Sequence, residues 1–267
     1  MASPTQITVS QLARLIGMPD CPVLIDVCID EDFAEDPRLI PGTFRQAHTD
    51  VDELCEKLEQ RKAIVICQKG LKLSQGLAAL LRCRGIDAES LEGGVHGWRD
   101  AGLPMIPVAA FPNGDGRSPT RWVTRARPKI DRIACPWLIR RFVDPYAEFL
   151  FVAPSQVNLV AEKFEATAFD MEGGDWSHKG DECTFDTMLN RFELEIPALR
   201  HMASIIRGAD TGKPDLEPEV AGLTALSLGL SRMFKDDLEQ LDKGMLIYDA
   251  LYRWARDATN ETHGWPS

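Results

Sequence analysis

The chain has 267 residues, is 44% hydrophobic and 27% charged, and carries a formal net charge of −11. That is globular material enough for one large or two modest domains. Its acidity argues against a general binder of nucleic acid or anionic membranes, which need cationic footprints.

No run of eighteen apolar residues is present, and the stretch MASPTQITVS lacks a basic region followed by an apolar one. Seven cysteines without a CxxC pair fit reduced thiols, so a cytoplasmic protein with no membrane partner is expected. In chain order, residues 7–9 are a short strand candidate, and Ser10 is placed to cap a helix whose face holds Leu12, Leu15 and Ile16. Residues 22–27 (PVLIDV) read as a buried strand ending near Asp26 and Cys28. A polar, acidic loop then leads to the IPG turn at 40–42. Asp50 is placed to cap a helix over 51–60. The unbroken β-branched run 63–66 (AIVI) reads as a strand buried on both faces of a parallel sheet. It delivers Cys67 to a turn at 68–73, before a helix expected over 75–84 with Ser74 as its N-cap. A thiol there meets orphan backbone N–H groups and the positive end of a helix dipole, which is a nucleophile's setting. Residues 86–91 are a last strand candidate, and GGVHGW at 93–98 packs tight turns before a short helix. Strands and helices alternating at short intervals indicate a small parallel α/β domain over 1–112.

Four ordered features here resemble the rhodanese family of sulfurtransferases. They are Asp26-Val27, Pro41-Gly42, the CxxGxK loop from Cys67 to Lys72, and GGxxGW from Gly93 to Trp98. The resemblance implies that Cys67 accepts sulfane sulfur as a persulfide from a small-molecule donor and passes it to a thiol acceptor, with no cofactor required. It also implies that backbone amides of Gln68, Lys69, Gly70, Leu71, Lys72 and Leu73 bind the sulfur. Two departures bear on the donor. Cys28 stands where the family usually carries arginine, and Lys72-Leu73 stands where Arg-Ser is common. Lysine keeps the charge but loses the flat, two-pronged geometry that suits an oxyanion. Cys28 reads either as a resolving thiol for Cys67 or as a small apolar filler.

Residues 111–120 (FPNGDGRSPT) concentrate turn formers without periodicity, which marks 113–119 as a linker and 120–267 as a second domain. Residues 117–141 hold eight basic residues against one acid, Asp131. RWVTR at 121–125 reads as a strand with Trp122 and Thr124 opposite Val123. Ile130, Ile133, Ala134, Trp137 and Leu138 give an amphipathic helix interrupted or kinked at Pro136. Lys129, Arg132 and Arg140 gather on one edge of it, either as a solvated face or as an anion site for chromate or another oxyanion. Arg132 and Arg140 are also candidates for the charge missing from the Cys67 loop.

Further strands are expected at 148–152 and 168–170, with Ser155 capping a helix over 156–166. The stretch 169–185 (FDMEGGDWSHKGDECTF) then concentrates carboxylate, imidazole and thiol donors around glycines. Glu172, His178 and Cys183, with Asp210, are candidate ligands for a divalent metal, although their spacing matches no standard motif. The plain alternative is an acidic turn in which His178 is hydrogen-bonded for structure. Helices are expected over 185–192, 197–207 (closed by Gly208), 218–234 and 236–257, and His201 and His263 receive no role.

Four segments of this half resemble the carboxyl-terminal domain of the chromate-resistance proteins encoded beside bacterial chromate transporters. They are KIDRIACPWLIRRFVD at 129–144, HKGDECTF at 178–185, RGAD at 207–210 and GMLIYDALYRW at 244–254. The resemblance associates the chain with bacterial chromate or redox stress and strengthens the basic edge and the His178 loop as oxyanion or metal sites. The fold expected is α/β, an N-terminal rhodanese-like parallel sheet with flanking helices followed by a mostly helical α+β domain. The function expected is a sulfurtransferase with an appended oxyanion- or metal-binding domain. The alternative is a non-catalytic stress sensor or regulator. No GxGxxG fingerprint follows a strand, so no nicotinamide site is expected.

Overall fold

The structure, a computed structural model, describes residues 4–261, and His263 lies outside the described residues. The chain divides into two units. One comprises Met1–Thr120, Leu138–Glu148 and Phe192–Leu194, and the other Arg121–Trp137, Phe149–Arg191 and Glu195–Ser267.

The first unit runs β1 (Gln6–Ile7), α1 (Val9–Leu15), β2 (Val23–Asp26), α2 (Asp30–Ala34), β3 (Arg38–Leu39) and β4 (Thr43–Arg45). It continues with α3 (Val51–Leu58), β5 (Ala63–Ile66), α4 (Lys72–Cys83), β6 (Ala88–Leu91), α5 (Gly94–Asp100) and β7 (Ile106–Pro107). Five strands form a sheet of order β1-β6-β5-β2-β4 with every neighbouring pair parallel, while β3 and β7 pair antiparallel. The four residues of β5 are all 0% exposed, as their unbroken apolar run requires of a central strand covered on both faces. Val65 packs with Ile25, Leu54, Leu77 and Leu81 in one core, and each such side chain contributes about 1.5–3 kcal/mol on burial. The register pairs Asp26 with Ile66, so β2 and β5 end side by side and Asp26 and Cys67 emerge at the same rim.

Local chemistry moves several boundaries. Thr8, not Ser10, caps α1: its hydroxyl accepts from the Gln11 N–H, and the Gln11 side chain accepts from the Thr8 N–H, a reciprocal capping box. Asp50 precedes α3 without a side-chain capping bond. The helix after Cys67 begins at Lys72, with Leu71 at the N-cap position, so Ser74 lies within its first turn and its hydroxyl turns to Cys67 instead. The short elements α2, β3, β4 and β7 are additional to the expected ones, being too brief to show a period.

The second unit is built from β8 (Arg121–Arg125), α6 (Asp131–Leu138), β9 (Glu148–Val152), α7 (Val157–Lys163), β10 (Thr167–Ala168) and α8 (Thr184–Arg191). Three longer helices follow, α9 (Pro197–Asp210), α10 (Val220–Met233) and α11 (Asp237–Asp257). β8 is the middle strand of a three-stranded sheet, β10-β8-β9. Trp122, Val123 and Thr124 are consequently all buried rather than alternating, and Trp122 meets Phe169 and Trp176 edge-on.

Pro136 sits inside α6 without ending it, and a π-helical turn, Ile139–Val143, continues the chain. That wider turn breaks the 3.6-residue spacing on which Arg140 was placed beside Lys129 and Arg132. Lys129 lies exposed before the helix, Arg132 lies on it, and Arg140 lies in the π-turn, which groups with the first unit. Ser155 falls within a 3-10 turn, Pro154–Gln156, rather than capping a helix. Gly208 does not close α9 either, for the helix runs on to Asp210. A Cβ on Gly208 would stand 2.6 Å from Val220 Cγ2, so the glycine admits α10 against α9.

Along α11, Gly244 admits Ile133, whose Cγ2 would lie 2.8 Å from a Cβ there. The Tyr248 hydroxyl donates to the Ile130 carbonyl at 3.0 Å, and Trp137 Nε1 donates to Asp249 Oδ1 at 2.8 Å. The apolar stripe of α11 is thus core and fixes the segment entering α6. Among the described residues, no helix is long and apolar enough to cross a membrane.

Candidate functional site

At the end of β5, Cys67 is 5% exposed, and its Sγ lies 3.1 Å from Ser74 Oγ. The Cys67 carbonyl accepts from the N–H groups of Val95 at 3.1 Å and Gly70 at 3.4 Å, while His96 N–H donates to the Gln68 carbonyl at 3.0 Å. Residues 94–98 open α5 rather than forming tight turns before it, and the start of that helix holds the cysteine loop by its backbone. Contact this close excludes side chains: a Cβ on Gly94, at φ +58°, would stand 2.0 Å from the Cys67 carbonyl oxygen. One on Gly70, at φ +67°, would stand 2.4 Å from that of Leu91. Two glycine motifs distant in sequence are thus one structural unit. The opening amides of α4 have no intrahelical acceptor, and no side chain caps them. Within the loop, Gln68 Nε2 is tied to Glu35 Oε2 at 2.9 Å and Gly70 is buried. Lys69, Leu71 and Lys72 are exposed, and Leu73 packs on the core.

Cys28 is nearly buried, and its N–H donates to Asp26 Oδ1 at 2.8 Å. Burial first, and then the Asp26 carboxylate, push its thiol well above the ordinary range. Burial likewise raises Asp26 itself. A thiol so disfavoured as thiolate suits the filler better than the resolving role. Cationic groups beside it come from the first unit. Arg45 Nη2 donates to the Cys28 carbonyl at 3.2 Å and to Asp30 Oδ1 at 3.0 Å, with its guanidinium over the Phe33 ring. Arg117 pairs with the same Asp30. These groups line a cavity of about 280 Å³ together with Asp26 and Cys28.

The second unit gathers a different chemistry. His178 Nε2 lies 3.1 Å from Asp210 Oδ2, 3.5 Å from Asp131 Oδ2 and 3.6 Å from Asp170 Oδ1. Asp131 opens α6, Asp210 closes α9, and Asp170 and His178 come from the loop between β10 and α8. Asp170 adopts φ +53°, and its N–H donates to the Trp176 carbonyl at 2.9 Å, which folds the loop back on itself. Thr184 secures two of the carboxylates, its N–H donating to Asp131 Oδ2 at 2.6 Å and its hydroxyl to Asp170 Oδ1 at 3.0 Å. The outer oxygen of Asp170 faces Arg125 Nη2 at 2.8 Å and Arg132 Nε at 3.3 Å.

Arg132 also donates to the carbonyls of Arg125 and Ala126, each at 3.0 Å, and burial lowers its pKa. It is thus a brace for this loop rather than a free anion receptor. The Asp131 carboxylate, 3.5 Å from Nε2, pushes His178 up to about 9. Burial, followed by the neighbouring carboxylates of Asp131 and Asp170, pushes Asp210 up to about 7. Burial also raises Asp131.

Of the residues singled out as metal ligands, His178 and Asp210 lie together here. Glu172 is exposed, and the gathered donor atoms are those of Asp131, Asp170 and His178. Cys183 is fully buried, with its N–H donating to Asp186 Oδ2 at 3.1 Å and its thiol pushed up by burial. Asp131 and Asp170 are the members that sequence spacing passes over. For Asp131 the signal is in the order of the segments: KIDRIACPW supplies Asp131 and Arg132, HKGDECTF supplies His178 and Thr184, and RGAD supplies Asp210, whereas Asp170 lies outside all three. In RGAD, Arg207 lies three residues before Asp210 and pairs with Asp186 at 2.9 Å.

A protein-family model described as "ChrB, C-terminal domain" matches residues 122–255. "Protein ChrB" of Cupriavidus metallidurans is 32% identical over 168 residues, covering 58% of this chain and 50% of that protein. The chain therefore spans about half the length of the curated relative it matches. Similar solved structures include a thiosulfate sulfurtransferase from Pseudomonas aeruginosa, at 25% identity and TM-score 0.33, over 38% of this chain and 19% of that one. A rhodanese-like domain protein from Staphylococcus aureus is similar at 26% identity and TM-score 0.31, over 35% of this chain and 90% of that one.

Proposed function

The chain belongs to the family of the ChrB C-terminal domain, and from that premise we propose that its first unit is a sulfurtransferase that carries sulfane sulfur on Cys67 in the setting of chromate or redox stress. The observation that supports this reading is the seating of Cys67. Its Sγ lies at the end of a central parallel strand, 3.1 Å from Ser74 Oγ, in a loop held from behind by Gly93 and Gly94. The uncapped amides at the start of α4 favour negative charge on sulfur nearby.

With thiosulfate as donor, the Cys67 thiolate attacks the outer sulfur. The S–S bond of thiosulfate breaks, its electron pair leaves with sulfite, and a Cys67 persulfide remains. A thiolate or cyanide acceptor then takes the terminal sulfur, and the bond to Sγ returns its pair to Cys67. Ser74 is placed to donate to the sulfur while it is anionic. Lys69 and Lys72, both exposed, attract anionic donors as point charges without the two-pronged grip of arginine.

Incubation with thiosulfate or mercaptopyruvate and cyanide tests the reading. Thiocyanate is expected from the intact chain and none from Cys67→Ser. Thiocyanate production that survives the substitution refutes it.

A further inference from the structure

Three carboxylates converge on one imidazole nitrogen in the second unit, and a single N–H cannot satisfy them. The separations of 3.1, 3.5 and 3.6 Å from His178 Nε2 to Asp210, Asp131 and Asp170 are mostly long for hydrogen bonds. They are, however, the distances between ligands sharing one ion: donors about 2.0–2.2 Å from a centre in tetrahedral or octahedral arrangement stand roughly 3–3.6 Å apart. The donor atoms of Asp131, Asp170 and His178 all lie within 4.8 Å of one another.

A second observation points to a ligand independently. Asp131 is 1% exposed, and its Oδ1 has no hydrogen-bond partner. A buried carboxylate oxygen left without a donor is costly, and a cation removes that cost. The surroundings are also those of an oriented ligand set. Thr184 fixes Asp131 and Asp170, and Arg125 and Arg132 hold the outer oxygen of Asp170.

We propose that Asp131, Asp170 and His178, with Asp210 beside His178, form a binding site for one divalent first-row transition-metal ion. Two carboxylates and one imidazole, without a thiolate, suit Mn²⁺, Fe²⁺ or Zn²⁺ and disfavour Cu(I). The site unites the start of α6, the end of α9 and the loop before α8, so the ion closes those three segments of the second unit on one another. It is independent of sulfur transfer at Cys67.

The full chain, stripped with a chelator and desalted, is titrated with Mn²⁺ while the electron paramagnetic resonance signal of the free aquo ion is followed. One equivalent of Mn²⁺ is expected to lose its free signal, and one equivalent of Zn²⁺ to restore it by displacement. His178→Ala, at a side chain 38% exposed, is expected to weaken binding at least tenfold, and Asp131→Asn likewise, whereas Cys67→Ser titrates as the parent does. Circular dichroism checks that the variants fold, and the His178 variant carries the test where Asp131→Asn does not. The absence of a saturable equivalent, or binding that His178→Ala leaves unchanged, overturns the proposal. So does binding abolished by His201→Ala instead, which would place the ion among His201, Glu217 and Glu219, another group with converging donor atoms.

Discussion

Gly94→Ala is the perturbation that most sharply separates fold from site in the first unit. The new Cβ would stand 2.0 Å from the Cys67 carbonyl oxygen and 2.4 Å from the Gly70 nitrogen, where ordinary contact begins at 3.4 Å. The cysteine loop must therefore withdraw by about 1.4 Å, and a misplacement on the order of 1 Å costs about a hundredfold in rate. Left-handed backbone at a non-glycine residue costs about 1–2 kcal/mol, and overpacking about 1–3 kcal/mol more, so a loss of roughly 2–5 kcal/mol in stability is expected. Gly102→Ala is the matched control. Its φ is +67°, yet nothing lies within 4 Å of the added Cβ, so it bears the backbone strain alone. Chemical denaturation and thiosulfate:cyanide turnover read both variants. If Gly94→Ala loses no more stability and no more turnover than Gly102→Ala, the reasoning that the start of α5 positions Cys67 fails.

Two further outcomes follow from the same geometry. Ser74→Ala removes the hydroxyl 3.1 Å from Cys67 Sγ. One hydrogen bond to a charged group is worth about 1.5–3 kcal/mol, so sulfur transfer is expected to fall by roughly tenfold or more, with circular dichroism unchanged, and an undiminished rate would remove Ser74 from the mechanism. In chelator, His178, pushed up to about 9 by the facing Asp131 carboxylate, contributes stability that is complete below its unfolded pKa near 6.5. That contribution is lost as pH rises through 9. Asp210, pushed up to about 7 by burial, acts in the same direction at lower pH, since its ionisation on the way to neutrality is disfavoured in the folded state. Unfolding free energy is therefore expected to decline between pH 6.5 and 9, and His178→Ala to flatten that decline. An equal decline in the variant contradicts the assignment.

The strand Ala63–Ile66 was legible because a short unbroken β-branched run marks a strand covered on both faces. The seating of Cys67 was legible because strand, cysteine and glycine loop are contiguous. The role of Ser74 was not, since a serine before a helical pattern reads as a cap until the helix is seen to start at Lys72. Asp131 was read only as the single acid of a basic segment. Its partners Asp170, His178 and Asp210 reach it through tertiary packing that no periodicity records. Conversely, Glu172 and Cys183 were chosen because they are near His178 along the chain, and one is exposed while the other is sealed in the core. Arg140 was assigned by a helical spacing that the π-turn after Leu138 does not keep.

Intact mass spectrometry of the full chain after brief exposure to thiosulfate tests the sulfur-carrier reading most directly. A gain of one sulfur atom is expected, removed by cyanide, accompanied by one sulfite released per chain, absent in Cys67→Ser and retained in Cys28→Ser. A chain that gains no sulfur, or that gains it equally without Cys67, contradicts the assignment.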